Sequence, residues 1–366
     1  MSIPTTQKAL LVLKESSPHV LGDNAVPRPA PHEVLVKIVA CGLNLSDAVV
    51  MDPPFSKVLV SSWPYIAGSD GSGVVIEVGT NVTNLKEGDR ILFQGNSRDP
   101  LRSSTFQEYA VVDAQLAAII PSNITFEQAA SIPLALITDV TGLFNQSPAP
   151  QNLGLRYKPV WEPEGATERA NTPAFIVGGA ASLGQYAIQL AKMAGHNPII
   201  TTASSHNEAH LISLGSTHVL DRSRSNESIL EELPKLTNGQ PIKFAFVAVV
   251  FSHDSCRLAR DALAPGGDLL TAAPGPALLP GDVSNPGQEK RVAYGHGSPH
   301  LPHTRDVCIE LYKHLTEWLE SGSLKPNPIE VLPGGLAGVA EALSLVKAHK
   351  VSGKKFIARP QDTQSL

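Results

Sequence analysis

Thiols, basic charge and long apolar runs are all scarce in this 366-residue chain, and each scarcity excludes something. The cysteines number three, Cys41, Cys256 and Cys308. They lie far apart, are odd in number and form no C-x-x-C pair, which argues against a disulfide framework. A structural zinc site needs four Cys or His ligands at close spacing, and the chain has no such cluster. The three thiols are therefore read as buried or idle. A net charge of −5 offers no basic field to a nucleic acid. No apolar run is long enough to span a bilayer. The start, Met1 to Lys8, has neither the basic nor the apolar region of a secretory signal. The expectation is a cytoplasmic protein that meets neither nucleic acid nor membrane.

What is present is ample core material, 42% hydrophobic residues, at a length that suits two domains. Up to about Pro121 the pattern is strand-rich. Val34–Val39, Val74–Val78 and Arg90–Phe93 are apolar and β-branched, with prolines and Glu87-Gly-Asp89 as punctuation. Thr125 and Gln128 stand at the spacing of a capping box, opening a helix that the apolar pattern carries on from Ile132 to Phe144. Ser147 to Pro173 is rich in Pro, Gly and charge and reads as a surface insertion or a lid. Beyond it strands alternate with helices. Strands are expected at Ala174–Val177, Asn197–Thr202, His218–Leu220, Phe244–Phe251 and Asp268–Ala272. Helices are expected at Gln185–Ala194, Glu208–Leu214 and Cys256–Leu263. Such alternation predicts a parallel sheet covered on both faces. Two helices close the chain, Thr304–Ser321 and Leu336–His349.

The first strand–turn–helix of that region carries the most informative motif, Gly179-x-Ala181-x-x-Gly184. Small residues here let backbone approach a pyrophosphate, whose charge then sits at the helix N-terminus. Ala181 stands where a middle glycine is usual, so the motif alone is also compatible with an ordinary tight turn; the surrounding alternation favours dinucleotide binding. The next strand bears on which dinucleotide. An NAD-specific fold usually ends it with an acid for the ribose 2′-hydroxyl. This chain reads Thr201-Thr-Ala-Ser-Ser-His-Asn207, with no acid before Glu208. Ser204, Ser205 and Asn207 are hydrogen-bond donors for a 2′-phosphate, and Arg222 brings positive charge. Together they favour NADPH.

At these residues the chain resembles the zinc-free branch of the medium-chain dehydrogenase/reductase superfamily. The resemblance runs through Asn44-Leu-Ser-Asp47, Pro64-Tyr-Ile-Ala-Gly-Ser-Asp-Gly-Ser-Gly-Val74, Gly79 to Arg90, Gly334-Gly-Leu336 and Lys350 to Phe356. It implies an α/β fold: a GroES-like, β-rich catalytic domain split in sequence (1–132 and 299–366) around a doubly wound Rossmann domain (133–298). Within the branch, Gly178 to Lys192 and Ser204 to Asn207 look most like fungal trans-acting enoyl reductases and toxin-cluster oxidoreductases resembling quinone oxidoreductases. Position by position, the resemblance sets NADPH against Ser46, Asp47, Gly179, Ala180, Ala181, Ser182, Leu183, Gly184, Ser204, Ser205, His206, Asn207, Arg222, Ala272, Ala273, Gly353 and Lys354. It sets Thr138 beside nicotinamide and substrate, the one candidate catalytic residue. Zinc-dependent members would need Cys at position 44 and His at 69. Asn44 and Ser69 are neither thiolate nor imidazole, so no zinc is expected. His296, His300 and His303 fit a solvent loop better than a metal site.

The reaction implied is hydride transfer from NADPH to the β-carbon of an enone or enoyl thioester, then protonation at the α-carbon. Thr138, Ser46 and Tyr65 are candidate donors, beside water. Asp47 reads as a fold-stabilising acceptor, since nothing in the sequence argues for a raised pKa. Three departures from the family pattern stand out: Val49 where a lysine is common, Arg222 where a tyrosine is common, and no Asp in Phe246–Val250. They keep open a quinone or carbonyl reductase, or a non-catalytic dinucleotide-binding partner of a synthase. The implied partners are a small or carrier-bound substrate and a polyketide synthase. Pro274, Pro276, Pro280 and Pro286 follow the strand whose neighbour would pair in a dimer. Proline cannot donate to a ladder, so a monomer is expected ahead of a dimer; the alternative is that these prolines sit in a loop and Lys290 to Tyr294 forms the pairing strand.

Overall fold

The computed structural model describes residues 3–53, 55–60, 62–249, 252–272 and 290–364. The chain divides into two compact units. The first is Met1–Leu134 with Tyr312–Gly322 and Pro326–Leu366; the second is Ala135–Leu311 with Ser323–Lys325. Among the described residues no helix is long and apolar enough to cross a membrane.

The first unit is built on ten strands. β1 (Thr6–Val12), β2 (His19–Ala25) and β4 (Tyr65–Ile66) make a small antiparallel sheet. The larger sheet runs β15 (Ile329–Val331), β16 (Lys355–Ala358), β3 (Glu33–Gly42), β5 (Asp70–Val78), β6 (Arg90–Gln94) and β8 (Ala117–Ile119), with β7 (Tyr109–Asp113) also on β3. β3 is the hub, since its ten residues pair with three neighbours. Its register against β5 shifts after Leu35 and after Ile38. Such irregularities bend a strand and increase its twist. Val34, Val36, Ile38, Ile91 and Phe93 are fully buried between the layers. The expected capping box is present: Gln128 N–H donates to Thr125 Oγ1 at 3.2 Å and Thr125 N–H to Gln128 Oε1 at 3.0 Å.

The second unit holds one parallel sheet, in the order β11 (His218–Asp221), β10 (Ile199–Ala203), β9 (Ala174–Val177), β12 (Phe244–Val247), β13 (Asp268–Thr271) and β14 (Arg291–Tyr294). In chain order that is third, second, first, fourth, fifth, sixth, the Rossmann arrangement that the resemblance implies, in the parallel sheet that the alternation predicts. β9 and β12 lie side by side, and every residue of both is buried, because such a sheet is covered on both faces. Helices Ser182–Met193, Glu208–Leu214 and His253–Ala262 match the expected ones. Asn226–Leu236 is an additional helix. Pro234 reads as a breaker, yet Ile229 and Leu233 are buried on its inner face and Ser225 caps it.

Ser147–Pro173 is the stretch that reads as a surface insertion or a lid. It carries no helix or strand, but it is fastened down. Leu155 and Tyr157 are buried, and their N–H groups donate to the carbonyls of Gly142 (2.7 Å) and Leu143 (2.8 Å) at the end of the Pro133–Phe144 helix. Tyr157 donates its hydroxyl to Asp268, and the Arg169 guanidinium lies 3.3 Å over the Tyr157 ring. At the sheet's edge, Tyr294 N–H donates to Leu153 C=O at 2.9 Å. Among the described residues β14 is thus the edge strand, and the insertion takes one of its outward donors. Pro274, Pro276, Pro280 and Pro286 lie outside the described residues.

Candidate active site

In the first unit a polar cluster forms where β3 runs into the short Leu45–Val49 helix. Asn44 is the N-cap of that helix, and its N–H donates to Asp47 Oδ2 at 2.9 Å. The Asn44 side chain donates to Asp47 Oδ2 at 3.2 Å and to Asp70 Oδ2 at 3.1 Å. Ser69 Oγ donates to Asp47 Oδ1 at 2.9 Å. Asp70 also accepts Leu134 N–H at 2.7 Å and pairs with the Lys355 ammonium, both side chains being at most 2% exposed. Asn44 and Ser69, the positions at which zinc-dependent relatives place ligands, are therefore hydrogen-bond donors to a carboxylate. An amide and a hydroxyl do not make a zinc site. Among the described residues no group of three or more His, Cys, Asp or Glu is arranged to hold a metal ion. His296 and His303 meet only edge to face, ring centroids 5.8 Å apart, and all three cysteines are buried and free.

Asp47 differs from the ordinary acceptor the sequence suggests. It is buried, and burial, with the neighbouring Asp70 charge, pushes its pKa up to about 6 against the opposing pull of the Ser69 and Asn44 hydrogen bonds. Sequence inspection misses this because both causes are tertiary. Ser46, one residue earlier, has its hydroxyl oxygen buried without a partner among the described residues. Gly353 takes φ +70°, and the Lys354 ammonium pairs with Glu330 at the surface.

In the second unit the dinucleotide motif sits between β9 and the Ser182–Met193 helix. Gly178, outside the motif as read from the sequence, is the residue with φ +88°. A Cβ on Gly184 would lie 2.3 Å from the Gly178 carbonyl oxygen, so that position tolerates no side chain. Ala181 has φ −67°, which any residue adopts, so an alanine at the middle of the motif is no obstacle. No side chain caps this helix, and Ser182, Leu183 and Gly184 are its first residues. Their N–H groups are the ready-made partners of an anion. Small residues where a Cβ would clash, and an uncapped helix start, fit a dinucleotide.

All strands being parallel, the carboxyl ends of β9, β10, β13 and β14 share one edge, where such sheets bind ligands. That edge brings together Gly179–Gly184, Ser204–Asn207, Ala272 and Gly295. Ala273 lies outside the described residues. Ser205 and His206 are exposed and Ser204 half-buried, whereas Asn207 is buried with its amide 3.2 Å from His206 Nε2. Arg222 is exposed, and its backbone N–H donates to Ala203 C=O at 3.0 Å, which sets it beside the end of β10. Thr138 is buried, and its carbonyl oxygen would be 2.3 Å from a Cβ on Gly295, just past β14.

Next to Thr138 is a residue that sequence reading passes over. Asp139 is 0% exposed, and neither carboxyl oxygen has a hydrogen-bond partner among the described residues. Burial alone pushes its pKa well above the usual carboxylate range. The signal in the sequence is a lone acid inside the otherwise apolar stretch from Ile132 to Phe144.

Comparison with known proteins adds the following. The family model "Alcohol dehydrogenase GroES-like domain" matches residues 30–122 and "Zinc-binding dehydrogenase" matches 182–292. A trans-enoyl reductase of a Penicillium species is 30% identical over 369 residues, covering 97% of this chain and 98% of that one. A trans-enoyl reductase of Gibberella fujikuroi is 29% identical over 372 residues, covering 95% and 98%. Among solved structures, an alcohol dehydrogenase superfamily protein from Novosphingobium aromaticivorans superposes with a TM-score of 0.76 at 22% identity, covering 96% of this chain and 98% of that one.

Asp139 generates a prediction. A carboxyl whose folded pKa lies above its unfolded value of about 3.9 gives full stability at low pH, and that stability is lost as pH rises towards the folded pKa. Asp139→Asn, which cannot ionise, should therefore melt above the wild type at pH 8, with the gap narrowing as pH falls and closing towards about pH 4. Thermal unfolding at both pH values checks this; superimposable melting curves at pH 8 would contradict it.

Proposed function

The chain belongs to the medium-chain dehydrogenase/reductase family of oxidoreductases, which use nicotinamide dinucleotides, and on that premise we propose that it reduces an activated C=C with NADPH. The observation that carries the cofactor choice is the end of β10. It offers Ser204 and Ser205 with no acid, and Arg222 stands beside it. A carboxylate there would repel a 2′-phosphate, while a guanidinium and hydroxyls attract it. The cofactor supplies the hydride when bound. The protein's part is to hold it: the turn from Gly179 to Gly184 for the pyrophosphate, Ser204, Ser205, His206 and Arg222 for the 2′-phosphate, and Thr138 towards the nicotinamide end. Ser46, Asp47, Asn207, Ala272, Ala273, Gly353 and Lys354 complete the proposed set.

The substrate class follows from the relatives, trans-enoyl reductases at 29–30% identity over nearly the whole chain. We read the substrate as an enone or enoyl thioester, carried by a polyketide synthase that lacks this step. Quinone reduction by the same fold is the competing activity, and parallel assays on an enone and a quinone separate the two.

Titration by nucleotide fluorescence should find NADPH bound far ahead of NADH; equal affinities would sink the cofactor reading. Arg222→Ala should weaken NADPH by roughly 1.5–3 kcal/mol, on the order of ten- to a hundredfold, and leave NADH nearly unchanged.

The reaction is proposed to need no metal, because an amide and a hydroxyl fill positions 44 and 69. Elemental analysis should detect no stoichiometric zinc, and chelators should leave activity intact. One tightly held zinc per chain would overturn this.

The working form is proposed to be a monomer. Edge-to-edge pairing of two such sheets needs the outward donors of β14, and Leu153 takes one of them. Light scattering at micromolar concentration should return a mass near 38.8 kDa. A mass near twice that value, stable on dilution, would mean that the edge pairs.

A further inference from the structure

The reduction proposed above leaves its proton donor unnamed, and the cluster around Asp47 contains an arrangement suited to that task. Of its members, Asn44, Asp47, Asp70 and Lys355 are buried, while Ser69 is half-buried. Ser69 is thus the least buried member of this cluster, and it is bonded directly to Asp47 at 2.9 Å. Its backbone is held firmly: Ser69 C=O accepts Gly95 N–H at 2.7 Å. Gly68 before it sits at φ +101°, against Thr105 and Phe106, where any side chain would clash. A hydroxyl so fixed loses little freedom when it meets a reacting atom.

We propose that Ser69 is the catalytic proton donor of the reduction and that Asp47 is the positioning residue that resupplies it. This rests on the reading of the protein as a C=C reductase. As the hydride arrives at the β-carbon, the Ser69 O–H bond breaks and a C–H bond forms at the α-carbon. In the acid form of Asp47 the bond to Ser69 reverses, so that Oδ1 passes its proton to Ser69 Oγ; after the product leaves, a solvent proton returns to the Asp47 carboxylate through the Ser69 hydroxyl. The substrate gains one hydride and one proton, and no further oxidant or reductant is required.

The surroundings of Asp47 suit this role. The titratable groups that act on it or feel its charge are Asp70 from β5, Tyr65 from β4 and Cys41 from β3. The nearby cation, Lys355 from β16, is spent on Asp70. Burial and the Asp70 charge bring the acid form of Asp47 within reach near pH 6.

The test uses the full chain with NADPH and an enone or enoyl thioester that the wild type reduces. Ser69→Ala should lower kcat by roughly a hundredfold, with KM and NADPH affinity nearly unchanged, and Ser69→Thr should restore most of the rate. Wild-type kcat should fall as pH rises through about 6, and this limb should vanish in Ser69→Ala together with the solvent deuterium isotope effect. A Ser69→Ala variant with full kcat would overturn the proposal. So would one that loses NADPH binding along with kcat, since the hydroxyl would then be structural. A wild type that binds NADPH but reduces no enone or enoyl thioester would instead bring down the functional reading, and the donor with it.

Discussion

Asp70 is fully buried, and the first unit is organised around satisfying it. Its partner Lys355 lies 285 residues further along the chain, so the ion pair ties β5 to β16 and closes the unit across its two distant segments. The same carboxylate accepts from Asn44 and from Leu134 N–H, where the Pro133–Phe144 helix begins. Burying two charges is costly, and the pair returns that cost only when the remaining lone pairs are also satisfied. Breaking it from one side would leave an uncompensated buried charge, worth about 3–5 kcal/mol. The cluster is therefore rigid for an electrostatic reason, and Asp47 and Ser69 inherit that rigidity.

The second unit solves a different problem. Its sheet is covered on both faces, so polar chemistry is displaced to the strand ends. There the glycine turn, the uncapped start of the Ser182–Met193 helix, Ser204, Ser205 and Arg222 supply backbone and side-chain donors along one edge. Asp139 is the exception to this economy, an acid set in the buried part of a helix without a partner among the described residues. Because neither a cation nor a donor among the described residues holds it, burial raises its pKa unopposed, unlike that of Asp47, whose hydrogen bonds pull the other way.

The legibility of these features tracks how local their causes are. The Thr125/Gln128 capping box is a contact across three residues, and it reads directly from spacing. The parallel sheet of the second unit follows from alternation of strand and helix, whereas its strand order is implied only by the family resemblance. The Asn226–Leu236 helix is hidden by Pro234, whose cost is outweighed by burying Ile229 and Leu233. The fastening of the insertion depends on Tyr157 meeting Asp268, more than a hundred residues away, which no local pattern announces.

By itself the sequence determined the element types, the parallel sheet with its glycine turn, the missing acid after β10 and the absence of thiolate and imidazole at positions 44 and 69. Each rests on the identity of residues at short spacing. Only the tertiary structure decided that Gly178 takes the left-handed turn, that Asn207 is buried, and that Ser69 and Asn44 both serve Asp47. It alone decided that Asp47 and Asp139 hold their protons more tightly than free carboxyls. A pKa depends on desolvation and on charges brought close by folding, and neither exists until the chain has closed on itself.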